Sequence, residues 1–232
     1  MTTLKIISTI ALQRPIEQLA ADFSAASGVK LELECGATAP LVVRMRDGLR
    51  GDVAVLTAEG ADDMAAAGIL APAGAPGGTV RLVRSYVGMA VKAGAPHPDI
   101  STYEAFMRTL EAAESIVISQ AGASGIFMQA FLKRPEVAAR VRAQVTILPS
   151  GFTATLAADG RAQYAFQQVS ELSSVDGIEV VGRLPEGAQT PSVFSAGAFA
   201  AAAQPKAAAD FVAFMRSPAA LPALRRYGLE PL

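Results

Sequence analysis

The chain has little of the chemistry that marks many functional classes. Its 232 residues include one cysteine, one histidine and no tryptophan. The single cysteine, Cys35, excludes a disulfide within the chain. The single histidine, His97, lies in a Pro-rich loop, and no Cys/His cluster exists, so neither a zinc site nor any other metal or cofactor is expected. Charged residues make up only 18% and the formal net charge is −1, so nothing recommends nucleic acid as a partner. The arginines at positions 44, 46 and 50 form a short row that reads as a solvated helix face. Long apolar runs are missing as well. Hydrophobic residues reach 51%, yet no run approaches the roughly 18 residues of a membrane helix. No basic segment with an apolar run precedes the first strand, which starts by Leu4. The chain therefore reads as cytoplasmic, or as periplasmic if a leader has been removed.

What the sequence does have is two turns of small polar residues near its start. One runs Ser8-Thr9-Ile10-Ala11-Leu12-Gln13-Arg14-Pro15. The other runs Cys35-Gly36-Ala37-Thr38-Ala39-Pro40. Each follows a β-like run and opens an amphipathic helix, with proline where its missing N–H costs nothing. Unpaired N–H groups and small hydroxyls at a helix start attract anions. Two such turns on adjacent parallel strands predict a pocket for a small anion.

The rest of the first half alternates strand and helix. Strands are expected at 4–7, 29–33 and 52–56, and helices at 15–26, 40–47 and 59–67. Gly28, Gly48 and Gly68 stop the helices. This order implies parallel pairing. A Gly/Pro/Ala-rich stretch at 71–78 leads into an apolar run, 80–91, that carries the chain into a second lobe. There Ser101-Thr102-Tyr103-Glu104 fits a capping box, and Ser124 opens a further helix. Strands follow at 116–119, 145–148, 164–167 and 178–181. A second Gly/Pro-rich linker at 184–192 returns the chain to a strand and an alanine-rich helix at 205–216. The expected domains are 1–80 with 192–232 as one lobe and 81–191 as the other. A ligand cleft between two such α/β lobes is the usual arrangement.

These elements resemble the type 2 periplasmic binding protein fold, and in particular the molybdate-binding protein family of ABC importers. The resemblance rests on the first turn and its helix, on Thr38 ahead of Leu41-Val42-Val43-Arg44, and on Gly51-Asp52-Val53-Ala54-Val55. It continues through Ala123-Ser124-Gly125-Ile126-Phe127 and ends at Ala209-Asp210-Phe211 and Tyr227-Gly228-Leu229. It implies an α/β fold of two lobes, each a mostly parallel sheet flanked by helices. It also implies an oxyanion held by neutral donors. Thr38 then matches a ligand hydroxyl, Ser124-Gly125 a backbone-donor turn, and Phe152 a backbone position before a helix. The partners implied are a small anion and, for an exported protein, an ABC permease; a monomer is expected.

Two positions depart from the family pattern. Ala11 stands where a first-turn serine is expected, with Ser8 and Thr9 just ahead and Arg14 just after. Gln168, preceded by Gln167, stands where a tyrosine is expected. Glutamine amides and a guanidinium suit planar carboxylates. Buried glutamines at a strand end need partners, and a ligand would supply them. Arg14 has Glu17 as its alternative partner. The expected function is a binding protein that closes on an organic carboxylate or oxyanion. The alternative is an isomerase acting on a small carboxylic acid, as the aconitate isomerases among this family's relatives do. That chemistry needs a base, and only Glu34, Glu171 and Cys35 offer one.

Overall fold

A computed structural model describes residues 2–232. Contacts divide the chain into two units. The first comprises the chain up to Ser85 together with Ser192–Leu232, and the second runs from Tyr86 to Pro191.

In the first unit the chain forms β1 (Thr3–Thr9), α1 (Gln13–Ser27), β2 (Lys30–Gly36), α2 (Thr38–Arg46), β3 (Val53–Thr57), α3 (Ala58–Ala66) and β4 (Val80–Ser85). It is completed by β10 (Ser192–Ala198), α9 (Pro205–Met215), α10 (Leu221–Arg226) and β11 (Glu230–Pro231). The strand order is β11-β4-β10-β3-β1-β2. β1 pairs in parallel with β2 and β3, as the strand–helix alternation requires. The sheet as a whole is mixed, because β10 runs antiparallel to both β3 and β4 and β11 antiparallel to β4. β10 arrives from the second unit rather than through a crossover helix, so nothing forces it parallel. Leu4, Ile6, Ile16, Leu19 and Phe211 pack on one face of the sheet. Ile7, Leu41, Met45, Leu56 and Met64 pack on the other.

The second unit holds β5 (Val87–Lys92), α4 (Tyr103–Ala112), β6 (Ser115–Ser119), α5 (Ala123–Leu132), α6 (Pro135–Ala138) and β7 (Gln144–Leu148). It continues with α7 (Ala154–Ala158), β8 (Tyr164–Gln168), α8 (Val169–Leu172) and β9 (Ile178–Arg183). Its order is β7-β6-β8-β5-β9, with β6 parallel to β7 and β8, and β5 antiparallel to β8 and β9. This sheet is mixed too. Phe106, Phe131, Ile118 and Phe166 fill one side and Val117, Ala157, Ala165 and Leu172 the other.

Each unit thus has three parallel strands whose first member lies in the middle: β2-β1-β3 and β7-β6-β8. The crossover leaves the middle strand to one side and the next passes to the other. Ligands of open α/β sheets bind beyond the carboxyl ends of the strands at such a reversal. In unit 1 that end carries Ser8, Thr9, Gly36 and Thr57; in unit 2 it carries Ser119, Leu148 and Gln167.

Two expectations shift in detail. The apolar run 80–91 is two strands broken at Tyr86: Ser85 pairs with Ser192 in one sheet, while Val87 pairs with Gln168 in the other. The cap of α4 is Thr102, whose side chain accepts from the Ala105 N–H at 3.1 Å. The Ser101 hydroxyl instead donates to Asp99, and Glu104 pairs with Arg140. Gly28 ends α1 at φ 71°, a left-handed conformation that costs glycine little.

Candidate functional site

The most distinctive polar feature lies at the start of α5. The residue before it, Gly122, has no side chain with which to cap, so the helix begins uncapped. The first-turn N–H groups of Ala123, Ser124 and Gly125 precede any carbonyl they could reach within the helix. Two hydroxyls sit beside them. Ser124 is fully buried and Ser119, the last residue of β6, is 6% exposed. Neither Oγ has a hydrogen-bond partner among the described residues. An unpaired buried hydroxyl costs about 1–3 kcal/mol, so a pair of them at an uncapped helix start has room for a partner, a water or a ligand.

The backbone is shaped to bring these groups together. A Cβ added to Gly125 would lie 1.9 Å from the Ser119 carbonyl oxygen and 2.5 Å from its hydroxyl. Only glycine lets the helix start this close to the strand end. The Gln129 amide, one turn on, donates to the carbonyls of Ser119 (3.2 Å) and Gln120 (2.9 Å) and ties down the turn.

The neighbouring strands β7 and β8 end on the same side of this sheet. β7 leads into the turn Gly151-Phe152-Thr153, and the Phe152 N–H has no protein partner among the described residues. The turn is held by Gln167 at the end of β8, which is 2% exposed. Gln167 Oε1 accepts from the Thr153 N–H at 2.8 Å and lies 3.0 Å from the Thr153 hydroxyl. Gln167 Nε2 donates to the Gly151 carbonyl at 3.1 Å and to Glu171 Oε1 at 2.8 Å. The Gln167 carboxamide is therefore committed to the protein itself. Gln168 is 1% exposed and its N–H donates to Glu171 Oε2 at 3.1 Å. Burial pushes the Glu171 carboxyl up to about 7, against the pull of the Gln168 N–H and the Gln167 amide.

In unit 1, Ser8 is buried and its hydroxyl donates to the Thr9 carbonyl at 3.0 Å. Thr9 precedes a 3-10 turn, Ile10–Leu12, without capping it. Thr38 is the first residue of α2, after Ala37 at the cap position, and its Oγ1 accepts from the Thr57 N–H at 3.3 Å. Thr57 caps α3 through the Gly60 N–H. The turns after β1, β2 and β3 are thus hydroxyl-lined. Arg14 is exposed and paired with Glu17 at 3.0 Å.

The structure brings Ser124, Gly125, Phe152 and the glutamines to one end of unit 2, and Ser8, Thr9 and Thr38 to one end of unit 1. Sequence reasoning missed Ser119, Thr153 and Thr57. The available signal was position: each stands at or just past the carboxyl end of a parallel strand.

A family model described as bacterial extracellular solute-binding protein matches residues 4–230. The chain belongs to this family. Among curated proteins, an aconitate isomerase from Pseudomonas sp is 32% identical over 238 residues, covering 100% of this chain and 89% of that protein. The periplasmic molybdate-binding protein of Azotobacter vinelandii is similar in structure, with a TM-score of 0.78 at 17% identity over 97% of this chain and 98% of that one. The sulfate-binding protein SubI of Mycobacterium tuberculosis aligns with a TM-score of 0.75 at 16% identity, covering 100% and 88%. The fold is that of the two-lobed periplasmic binding proteins.

Proposed function

We propose that this solute-binding protein takes a small anion at the uncapped start of α5. The observation that carries the reading is the pair of buried, unpartnered hydroxyls of Ser119 and Ser124 beside free first-turn N–H groups. All of these donors are neutral. They suit a small oxyanion or the carboxylate of an organic acid. The Phe152 N–H adds a donor in the same unit, and the hydroxyls of Ser8, Thr9 and Thr38 are the corresponding groups of unit 1. Calorimetric titration with molybdate, tungstate, sulfate and trans-aconitate tests the reading. Saturable binding of one of them, weakened roughly tenfold in Ser124→Ala, is expected. Silence with all four, or an affinity indifferent to Ser124→Ala, overturns it.

A second reading, isomerisation of a small polycarboxylate, is favoured by the relative at 32% identity. Proton abstraction needs a base within reach of the substrate. Glu34 is held below the usual carboxylate range by Arg44 at 2.6 Å and Lys5 at 3.2 Å. The Cys35 thiol is pushed up to about 12 by burial and by the charges of Glu17 and Glu34. Both oxygens of Glu171 already accept N–H bonds. These commitments favour binding without chemistry. Deuterium entering trans-aconitate in heavy water, followed by NMR in the presence of the protein, would shift the choice to the isomerase.

A further inference from the structure

The reading above leaves one buried ionisable group without a role. Glu171 lies in α8, one turn beyond the end of β8, and is 5% exposed. It does not reach the α5 cradle through any hydrogen bond. Its Oε1 accepts from Gln167 Nε2 at 2.8 Å and its Oε2 from the Gln168 N–H at 3.1 Å. Gln167 then spans the gap to the turn that carries the Phe152 N–H.

The direction of this relay is set by charge. An amide can present either its oxygen or its NH2 to a neighbour, and here the two ends are chemically distinct. When ionised, the Glu171 carboxylate can only accept, so it draws the Gln167 NH2 toward itself. The Gln167 oxygen is thereby turned toward the Thr153 N–H and hydroxyl. With the amide in this orientation, the Gly151 carbonyl accepts from the same NH2 and the Thr153 N–H is satisfied. Residues 151–153 are held on both sides of Phe152, whose own N–H makes no hydrogen bond among the described residues.

We propose that Glu171 is a positioning residue for the anion site, acting through Gln167 to fix the Gly151–Thr153 turn and hence the Phe152 N–H. The proposal rests on the anion-binding reading. α8 packs against β5, β8 and β9, whose ionisable side chains are Lys92, Tyr164, Glu179 and Arg183. Burial and the two N–H donors, not a charge on any of these four, set the proton affinity of Glu171.

The test compares the wild-type chain with Glu171→Gln, which keeps the shape and removes the charge. In the ligand-free proteins, 15N NMR follows the Thr153 amide and the Gln167 side-chain NH2. In wild type both signals should titrate together near neutral pH; in Glu171→Gln they should not. Exchange of the Thr153 amide should quicken roughly tenfold in the variant while the strand amides of β5 and β8 stay protected. Affinity for whichever of molybdate, tungstate, sulfate or trans-aconitate binds wild type should fall roughly tenfold. An unchanged Thr153 amide overturns the proposal. A changed amide with unchanged affinity also overturns it, since the brace is then structural only. If wild type binds none of the four anions, the anion reading fails and takes this proposal with it; the silent wild type tells that failure apart from the other two. Gln167→Leu, which removes the relay and leaves Glu171 ionisable, should reproduce the affinity loss while Glu171 still titrates.

Discussion

Ser119 and Ser124 are two hydroxyls placed where the free chain gains nothing from them. Replacing each with alanine removes an unsatisfied buried group and little packing. Ser119→Ala and Ser124→Ala should therefore hold or raise the thermal midpoint while anion affinity drops by about tenfold or more. Differential scanning calorimetry with titration reads both; a lowered midpoint at unchanged affinity would mark the hydroxyls as structural. Gly125→Ala should do the reverse of a mild change. Its Cβ meets the Ser119 carbonyl at 1.9 Å, so the helix start must move, at a cost of roughly 1–3 kcal/mol together with the site. Ser124 could be found in the sequence because a small polar residue opening a helix is a recognisable signal. Ser119 could not. A serine ending a β-branched strand looks like any strand end until the helix start is seen folding back over it. Gln167 illustrates the opposite case: its burial was legible, but its partners come from a turn 14 residues earlier in the chain.

Elements with several turns of periodic apolar residues were readable, and their ends were too where glycine marks them. Gly28 and Gly68 both adopt positive φ, at 71° and 70°. The four-residue helices α6 and α8 were not readable, and the five-residue α7 was implied only by the family resemblance at Phe152. Helices this short have no period to detect and exist through their caps and packing. The cap of α4 was misplaced by one residue because Ser101 and Thr102 are chemically equivalent in sequence and only backbone direction separates them. Thr102→Ala should cost about 1 kcal/mol in chemical denaturation, and Ser101→Ala clearly less. The run 80–91 hides its break for a related reason. Ser85 and Val87 are each buried in a sheet, and no glycine, proline, asparagine or aspartate between Val83 and Val87 marks a turn, although the two strands belong to different units.

At the scale of the whole molecule, Glu171 ties folding to pH. Its carboxyl titrates near 4.5 when unfolded and at about 7 when folded. Because the folded value is raised, its contribution to stability is fully present below about pH 4.5 and is lost as pH rises through about 7. A rise of this size corresponds to roughly 3 kcal/mol. The difference in unfolding free energy between wild type and Glu171→Gln should therefore grow in the variant's favour from about pH 5 to about pH 8. Urea melts across that range check it; parallel curves would refute it. The division of the chain makes a separate prediction. Unit 2 is one continuous segment with its own two clusters of buried side chains. Its two ends are tied: the Leu184 N–H donates to the Val87 carbonyl at 2.9 Å, and the Gln189 side chain accepts from the Val87 N–H at 2.8 Å. A polypeptide of residues 86–191 should fold cooperatively by itself, giving a dispersed NMR spectrum.

The same insertion sets an order of events during synthesis. β10 lies between β3 and β4 in the first sheet, so β4 and β11 join that sheet only through it. On a ribosome making the chain from its N-terminus, residues 3–85 emerge early but wait with the edge of β3 unpaired. Residues 86–191 emerge next and can complete their own sheet at once. The lobe begun first is finished last, after β10 has left the exit tunnel, and during that interval its open strand edge is the part of the nascent protein most exposed to mispairing.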